Sequence, residues 1–264
     1  MINISVVLYN TPINEVSRLI ALVENCNKIG HLYIIDNSHM LIKKFWNSNK
    51  VRLFHRPDNP GYGAGHNIAI NESIKNKIKY HLVLNTDVIF DLNIIDNLIE
   101  MMAEDDNIGI ISPKILNSDG TDQGLCKLLP SPIDLISRLL KVKLPGSKNL
   151  ELNITNKHKK VFAPYLSGCF MLMRSEIIER VGCFDERFFM YPEDIDLSRR
   201  VAAKHKCIMK TDTTAIHLHA AESKKSFRML SIHIFNMIRY FNKWGWVFDK
   251  DRKKLNKKAL NQFS

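Results

Sequence analysis

Between Phe184 and Arg200 the chain reads Phe-Asp-Glu-Arg-Phe-Phe-Met-Tyr-Pro-Glu-Asp-Ile-Asp-Leu-Ser-Arg-Arg, bringing aromatics, acids and paired arginines together at an expected helix start. Pro192 suits a first helical turn, and Glu193, Asp194 and Asp196 stand where the helix dipole stabilises each acid by about 0.3–1 kcal/mol. Capping explains one acid more readily than three. A carboxylate shielded by rings such as Phe188, Phe189 and Tyr191 titrates closer to neutrality and can act as a general base, which singles out Glu193 and Asp194. Asp196 and Arg200, at i and i+4, are expected to pair on the helix surface.

Upstream, Asn85-Thr86-Asp87 closes the apolar run His81–Leu84. A carboxylate at a strand end can hold a divalent ion against a diphosphate, because magnesium takes one or two protein carboxylates and keeps waters. The plainer alternative is that Asp87 caps a turn. Downstream, His217 and His219 are two apart on an expected strand, so they share a face where a metal or a diphosphate can be met; the alternative is a pair of core histidines. The run Asn59-Pro-Gly-Tyr-Gly-Ala-Gly-His-Asn67 follows a strand and opens a helix, so its N–H groups can face an anion. Its glycines are spaced G-x-G-x-G and follow the third strand, which departs from the dinucleotide fingerprint. Tight packing of a glycine-rich turn is the competing reading.

These residues must be carried by something regular. Apolar runs and helical periodicity predict strands at Ile2–Tyr9, His31–Asp36, Val51–His55, His81–Leu84 and Ile108–Ser112, alternating with helices at Ile13–Asn27, Ala64–Lys77 and Leu92–Ala103. This βαβ rhythm belongs to a mostly parallel, doubly wound α/β sheet, whose ligands sit beyond the carboxyl ends of the strands. Asp36, Asn59 to Asn67 and Asp87 all fall at such ends. After Pro113 the rhythm breaks, and Leu128 to Lys160 is expected to be a mobile, partly ordered connection holding one amphipathic piece, Ile133–Leu144. A strand over Val161–Arg174, a helix over Glu193–Ala203, strands near Lys206–Lys210 and Thr214–His219, and a helix over Phe227–Phe241 complete the expectation.

The 264 residues are 45% apolar, enough for a real core. No apolar run reaches the roughly 18 residues of a membrane span, and the N-terminus lacks signal-peptide features, so a cytoplasmic protein is expected. Five scattered cysteines without a Cys-x-x-Cys suggest neither disulfides nor a zinc site. Eleven Lys/Arg against Asp249 and Asp251 place +9 of the +11 net charge after residue 223. A near-neutral body with a basic, aromatic-studded tail suits an anionic membrane surface better than nucleic acid.

Six segments, Ser5–Asn10, Ile34–Ser38, Asn59–Asn67, Leu84–Val88, Ser167–Arg174 and Gly182–Leu197, resemble in order the family 2 glycosyltransferases of GT-A fold. More narrowly they resemble the bacterial rhamnosyltransferase-like subgroup that builds O-antigen and related surface polysaccharides. The resemblance runs from about residue 2 to 248 and implies a GT-A domain over 1–223, with a nucleotide-binding half at 1–112 and an acceptor and catalytic half at 113–223, followed by a basic helical extension at 224–264. It implies that Asp36 contacts the base of a nucleotide donor with Asn37 close by, and that Asn59, Gly61 and Asn67 line the nucleotide pocket, with Asn85 and Thr86 also on the donor side. Asp87 matches the last acid of the family's metal-binding D-x-D element, whose first acid is Asn85 here, and His217 matches a histidine found near metal or diphosphate. Asp194 is then the catalytic base, with Glu193 orienting it or the acceptor.

The same resemblance implies an inverting transfer, assisted by Mg2+ or Mn2+, of a sugar from a nucleotide-diphosphate donor to a lipid-linked oligosaccharide. It places the protein peripherally on the inner face of the bacterial cytoplasmic membrane. L-rhamnose from dTDP-rhamnose is the leading donor, with UDP-sugars as the alternative, since uracil and thymine present the same N3–H and O4 to Asp36. A sugar nucleotidyltransferase is disfavoured because Tyr9-Asn-Thr-Pro12 is no basic glycine-rich loop. A non-catalytic basic binding module leaves Glu193 and Asp194 without purpose.

Overall fold

The computed structural model describes residues 1–42, 47–152, 154, 158–218 and 227–263. The first half alternates as its apolar pattern predicts: β1 (Ile2–Leu8), α1 (Ile13–Glu24), β2 (Ile29–Asp36), β3 (Val51–His55), α2 (Tyr62–Lys75), β4 (Tyr80–Leu84), β5 (Val88–Ile89), α3 (Asn93–Glu104) and β6 (Ile108–Leu116). On α1 the buried stripe is Val16, Leu19, Ile20 and Val23, a helical spacing that contributes about 1.5–3 kcal/mol per fully buried side chain. The second half holds β7 (Cys126–Lys127), α4 (Pro132–Leu140), β8 (Lys160–Phe162), β9 (Tyr165–Leu166), β10 (Phe170–Arg174), α5 (Ser175–Val181), α6 (Glu193–Lys204), β11 (Lys206–His217), α7 (Phe227–Trp244) and α8 (Lys250–Leu260).

Among the described residues the main sheet has nine strands, in the order β3-β2-β1-β4-β10-β6-β11-β5, with β8 also on β11. The pairs β3/β2, β2/β1, β1/β4 and β6/β11 are parallel, while β10 runs antiparallel between β4 and β6. From β1 the chain steps outward to β2 and β3, then returns to the other side of β1 at β4. That reversal opens a crevice at the carboxyl ends of β1 and β4, the place where such sheets take ligands.

Several polar side chains inside the sheet are paired. Asn3 Nδ2 donates to Ser73 Oγ, His81 Nδ1 lies 2.8 Å from the same oxygen, and Ser5 Oγ lies 2.6 Å from His66 Nδ1 and 2.8 Å from His81 Nε2. This network clamps α2 to β1 and β4. Burial holds both imidazoles below their ordinary pKa, His81 at about 3, so they stay neutral.

Two expectations are corrected. The single strand expected over Val161–Arg174 is broken into β8, β9 and β10, because Pro164 lacks a ladder donor and Gly168 ends the pairing, so β9 leaves the main sheet to pair with β7. The two strands expected at Lys206–Lys210 and Thr214–His219 are one, β11, with a register irregularity between Lys210 and Thr214. The amphipathic piece expected at Ile133–Leu144 is the helix α4, Pro132–Leu140, held by a capping box in which Ser131 and Asp134 exchange hydrogen bonds.

Helices α7 and α8 share the main core. Met237, Tyr240, Phe241, Leu255 and Ala259 are buried in the same apolar cluster as the sheet. The buried Arg199 of α6 donates to Asp249 at 2.7 and 2.5 Å, and its guanidinium lies 4.0 Å from the Trp244 ring centre. Asp196 is fully buried and holds Arg200, as expected from spacing, but also Trp244 Nε1 at 2.8 Å and Lys243 Nζ at 2.7 Å. Its task is to join α6 to α7. Among the described residues no helix is long and apolar enough to cross a membrane.

Candidate functional site

The glycine run is explained by packing. At Gly61, φ is +102° and a Cβ would stand 2.2 Å from the Phe189 carbonyl oxygen, which accepts the Tyr62 N–H at 2.9 Å. A Cβ on Gly63 would meet Phe184, and one on Gly65 would meet Val7. The start of α2 is therefore pressed between β1 and the segment 184–190, and one of its N–H groups is given to protein. The expectation of an anion cradle here is corrected to that extent.

Asn67 has a similar structural task. Its amide donates to the Phe184 carbonyl and to Glu186 Oε1, and accepts from the Phe184 N–H. From the other side, Asn236 of α7 donates to the Met190 carbonyl, and Lys243 pairs with Asp185 at 2.8 Å. The segment that introduces the acids is thus held at both flanks, and α6 begins at Glu193 in a defined place.

Glu193 and Asp194 are buried, 4% and 9% exposed, which decides their protonation. Burial and the Asp194 charge hold the Glu193 carboxyl well above the usual carboxylate range, and its Oε2 has no hydrogen-bond partner. Burial also raises Asp194, but the Gly168 N–H at 3.0 Å and the Ile195 N–H at 2.8 Å favour its charged form. Of the pair, Asp194 carries the negative charge.

The second acidic centre comes from β4 and β11. Strand β5 pairs with β11 so that His217 lies opposite Val88, and the Leu218 N–H donates to the Asp87 carbonyl. Asp87 Oδ1 and His217 Nε2 are 3.2 Å apart. Gln123 fixes the imidazole: its Nε2 donates to the His217 carbonyl at 2.7 Å, so its Oε1, 3.0 Å from Nδ1, accepts the ring proton. In the neutral ring, Nε2 then carries the lone pair. His219 lies outside the described residues.

One hydrogen-bonded path joins the two centres. Tyr62 Oη lies 2.8 Å from the Gly168 carbonyl, whose own N–H serves Asp194, and 2.9 Å from Asn85 Oδ1, while the Asn85 amide nitrogen lies 3.5 Å from His217 Nε2. Asp194, Gly168, Tyr62, Asn85, His217 and Asp87 therefore form one connected polar cluster.

Asp36, Asn37 and Asn59 stand further along the same sheet edge. Both Asp36 oxygens accept backbone N–H groups, from Ser38 at 3.0 Å and Ile42 at 2.8 Å, and each oxygen has a further lone pair. Beside it a depression of about 190 Å3 is lined by Leu8, Asn10, Thr11, Asp36 and Ser38 among others. The Asn37 amide donates toward Asn59 Oδ1 and the Gly61 carbonyl, both at 3.3 Å. Thr86 turns away toward α1, its hydroxyl donating to Glu15 at 2.6 Å, while Arg18 holds the Thr86 and Val88 carbonyls. Thr86 positions the Asp87 loop.

Tyr62, Gln123, Glu15 and Arg18 are site residues that sequence reasoning passed over. Tyr62 stood inside a quoted motif as its one aromatic. Gln123 lies where the periodic pattern fails, and nothing local marks it.

The Asp87–His217 pair has the makings of a divalent-ion site. A carboxylate and an imidazole with its tautomer set by a second residue are a common donor pair. Among the described residues no group of three or more His, Cys, Asp or Glu gathers in one place, so further positions would fall to water and ligand oxygens.

No family model matches the chain. It is 27% identical over 176 residues to the low-salt glycan biosynthesis hexosyltransferase Agl10 of Haloferax volcanii, covering 65% of this chain and 53% of that protein. It is 28% identical over 166 residues to the N-acetylglucosaminyl-diphospho-decaprenol L-rhamnosyltransferase of Mycobacterium tuberculosis, covering 57% and 53%. The chain spans about half the length of the curated relatives it matches. Among solved structures it is similar to GalNAc-T7 with UDP, GalNAc and Mn2+, at a TM-score of 0.63 and 16% identity, covering 83% of this chain and 43% of that one. It is also similar to the mannosyltransferase PcManGT from Pyrobaculum calidifontis in complex with GDP-Man and Mn2+, at a TM-score of 0.54 and 13% identity, covering 90% and 64%. The fold is that of the GT-A glycosyltransferases, and the sequence relatives are glycosyltransferases.

Proposed function

We propose that this GT-A-fold chain is an inverting glycosyltransferase that moves a sugar, L-rhamnose from dTDP-rhamnose as the leading case, onto a lipid-linked oligosaccharide of a surface polysaccharide. The observation that carries the reading is the hydrogen-bonded path that links the buried Asp194 to the Asp87–His217 pair through Gly168, Tyr62 and Asn85. The rhamnosyltransferase relative, whose name specifies a decaprenol-diphosphate acceptor, supports the choice of sugar and acceptor.

In this reading Asp194 takes the proton of an acceptor hydroxyl as its oxygen forms a bond to the anomeric carbon and the bond from that carbon to the nucleotide diphosphate breaks on the opposite face. Glu193 stays protonated beside it, so the pair carries one charge instead of two. Asp36, with Asn37 and Asn59 nearby, receives the nucleotide at the ends of β1 and β2. Asp87 and His217 would hold a Mg2+ or Mn2+ ion, which supplies charge neutralisation at the departing diphosphate. Asn85 belongs with them. Its Oδ1 lies 2.9 Å from the Tyr62 hydroxyl, and its NH2 points toward the lone-pair nitrogen of His217 at 3.5 Å, so the amide ties the pair to Tyr62.

An acceptor with a lipid tail brings the enzyme to a membrane. Supporting this, α7 and the turn after it expose Phe227, Ile234, Phe235, Ile238, Trp246, Val247 and Phe248 beside basic side chains, and Tyr191, next to the acids, packs on His233 of that helix.

The test is a panel of dTDP-, UDP- and GDP-sugars scored for nucleotide release with and without Mg2+ or Mn2+. Metal-dependent release from dTDP-rhamnose is expected. Release from UDP-sugars alone would move the donor to the alternative, and no release from any sugar nucleotide, with or without acceptor, would sink the transferase reading.

A further inference from the structure

A second cavity, of about 380 Å3, lies between α4 and α8, and its lining includes Lys148, Arg252, Lys253 and Lys257 together with Asp134. It shares no residue with the candidate site described above. Its size falls within the range of small-ligand sites, roughly 300–1,000 Å3.

The charge around it is unbalanced. Asp134 is committed to its own helix cap: Oδ2 accepts from the Ser131 N–H and hydroxyl, and Oδ1 accepts from the Lys148 backbone N–H. Among the described residues the ammonium groups of Lys148, Lys253 and Lys257 form no ion pair. Lys253 and Lys257 are at i and i+4 on α8, where like charges repel unless something negative sits between them.

Arg252 adds a buried charge, being only 7% exposed. Its Nη1 is 3.4 Å from the Pro130 carbonyl and 3.8 Å from Asp249 Oδ2, and among the described residues its Nε and Nη2 make no hydrogen bond. Asp249 is already gripped through both oxygens by Arg199. Two buried guanidinium groups thus share one carboxylate, which leaves an uncompensated positive charge and unused donors at the wall of a cavity edged by three lysines. A buried charge of that kind calls for a counter-ion, and a guanidinium fork matches phosphate oxygens.

We propose that the cavity between α4 and α8 is a binding site for a phosphate-bearing group. The site takes the phosphate from one of two sources, a free phosphate or diphosphate, or a phospholipid headgroup presented beside the exposed Ile133, Ile136, Leu139 and Leu140 of α4. The assignment does not depend on the transferase reading.

The test uses the full chain, with EDTA present so that metal-dependent binding near Asp87 and His217 is silent. Calorimetric titration with inorganic phosphate and pyrophosphate forms one arm, and flotation with vesicles of phosphatidylglycerol in phosphatidylcholine against pure phosphatidylcholine forms the other. The K253E/K257E pair lies on the cavity. The K250E/K254E pair makes the same change of net charge elsewhere on α8, and all four lysines are exposed, so folding is retained. Saturable binding in the first arm, weakened about tenfold or more by K253E/K257E and within twofold of wild type in K250E/K254E, is expected for a free anion. The same pattern in flotation assigns the lipid headgroup. No saturable binding in either arm, or an equal loss in both double variants, overturns the proposal.

Discussion

Asp87 Oδ1 and His217 Nε2, brought together from two strands far apart in the chain, lie 3.2 Å from each other, and Gln123 orients the imidazole from behind. Strand β5 makes this possible: two residues long, it lays the loop after β4 against the end of β11. The pairing turns a lone carboxylate into half of a donor set.

From that relationship, Gln123→Ala is expected to weaken Mn2+ binding by about 10–100-fold, as losses of an orienting partner commonly do, without unfolding the protein. Calorimetric metal titration checks it. An unchanged affinity would detach Gln123 from the site.

Tyr62→Phe should release the Asn85 amide to turn its oxygen toward His217 and Asp87, raising metal affinity, whereas in an Asn85→Asp background the same change should have little effect because a carboxylate presents oxygen on both sides. A double-mutant cycle on metal affinity measures the coupling. Additive effects would mean that Tyr62 does not orient Asn85.

Asp194→Asn should lower the transfer rate by about 10²–10⁴-fold with the fold intact. In the wild type the rate should rise with pH through the raised pKa of Asp194, since only the ionised base accepts a proton. That ascending limb should vanish in the variant. A variant that keeps most of its activity would remove Asp194 from the role of base.

Glu193→Gln should behave differently. The native Glu193 holds its proton more tightly than the unfolded chain does, so stability falls as pH rises from about 4, the unfolded value, through the raised native one. A neutral amide removes that penalty: the variant should match wild type near pH 4, exceed it in melting temperature at pH 7, and keep most activity. Thermal melts across pH read this directly, and a lower melting temperature at pH 7 would contradict it.

Gly61→Ala places a methyl 2.2 Å from the Phe189 oxygen at a φ of +102°. Overpacking and backbone strain together should cost about 2–4 kcal/mol, read as a lower urea midpoint. A loss well under 1 kcal/mol would show that the segment 184–190 can move away.

How much of the site is legible in advance depends on the kind of signal each residue leaves. The strands and helices up to β6 repeat with the period of their elements, and Asp36, Asn85 and Asp87 sit where those periods end, so they were legible. Glu193 and Asp194 were legible because three acids at one helix start exceed what a cap requires. Asp196 resembled them in sequence, and only its burial against Trp244 and Lys243 gave it a different task. The glycines and Asn67 looked like a ligand cradle, and the structure gives them a packing task as the close-packed seat of the segment 184–190.

By itself the sequence determined the order of the main elements up to β6 and the sheet edge at which the candidate acids gather, because hydrophobic period and strand-end position are local properties. Which acid holds a proton, that Tyr62 bridges Gly168 and Asn85, that Gln123 sets the His217 tautomer, and that the basic tail folds back as α8 against a charged cavity were decided by tertiary structure. Burial, hydrogen-bond partners and the sharing of one carboxylate by two arginines are relations between segments distant along the chain, and no local pattern records them.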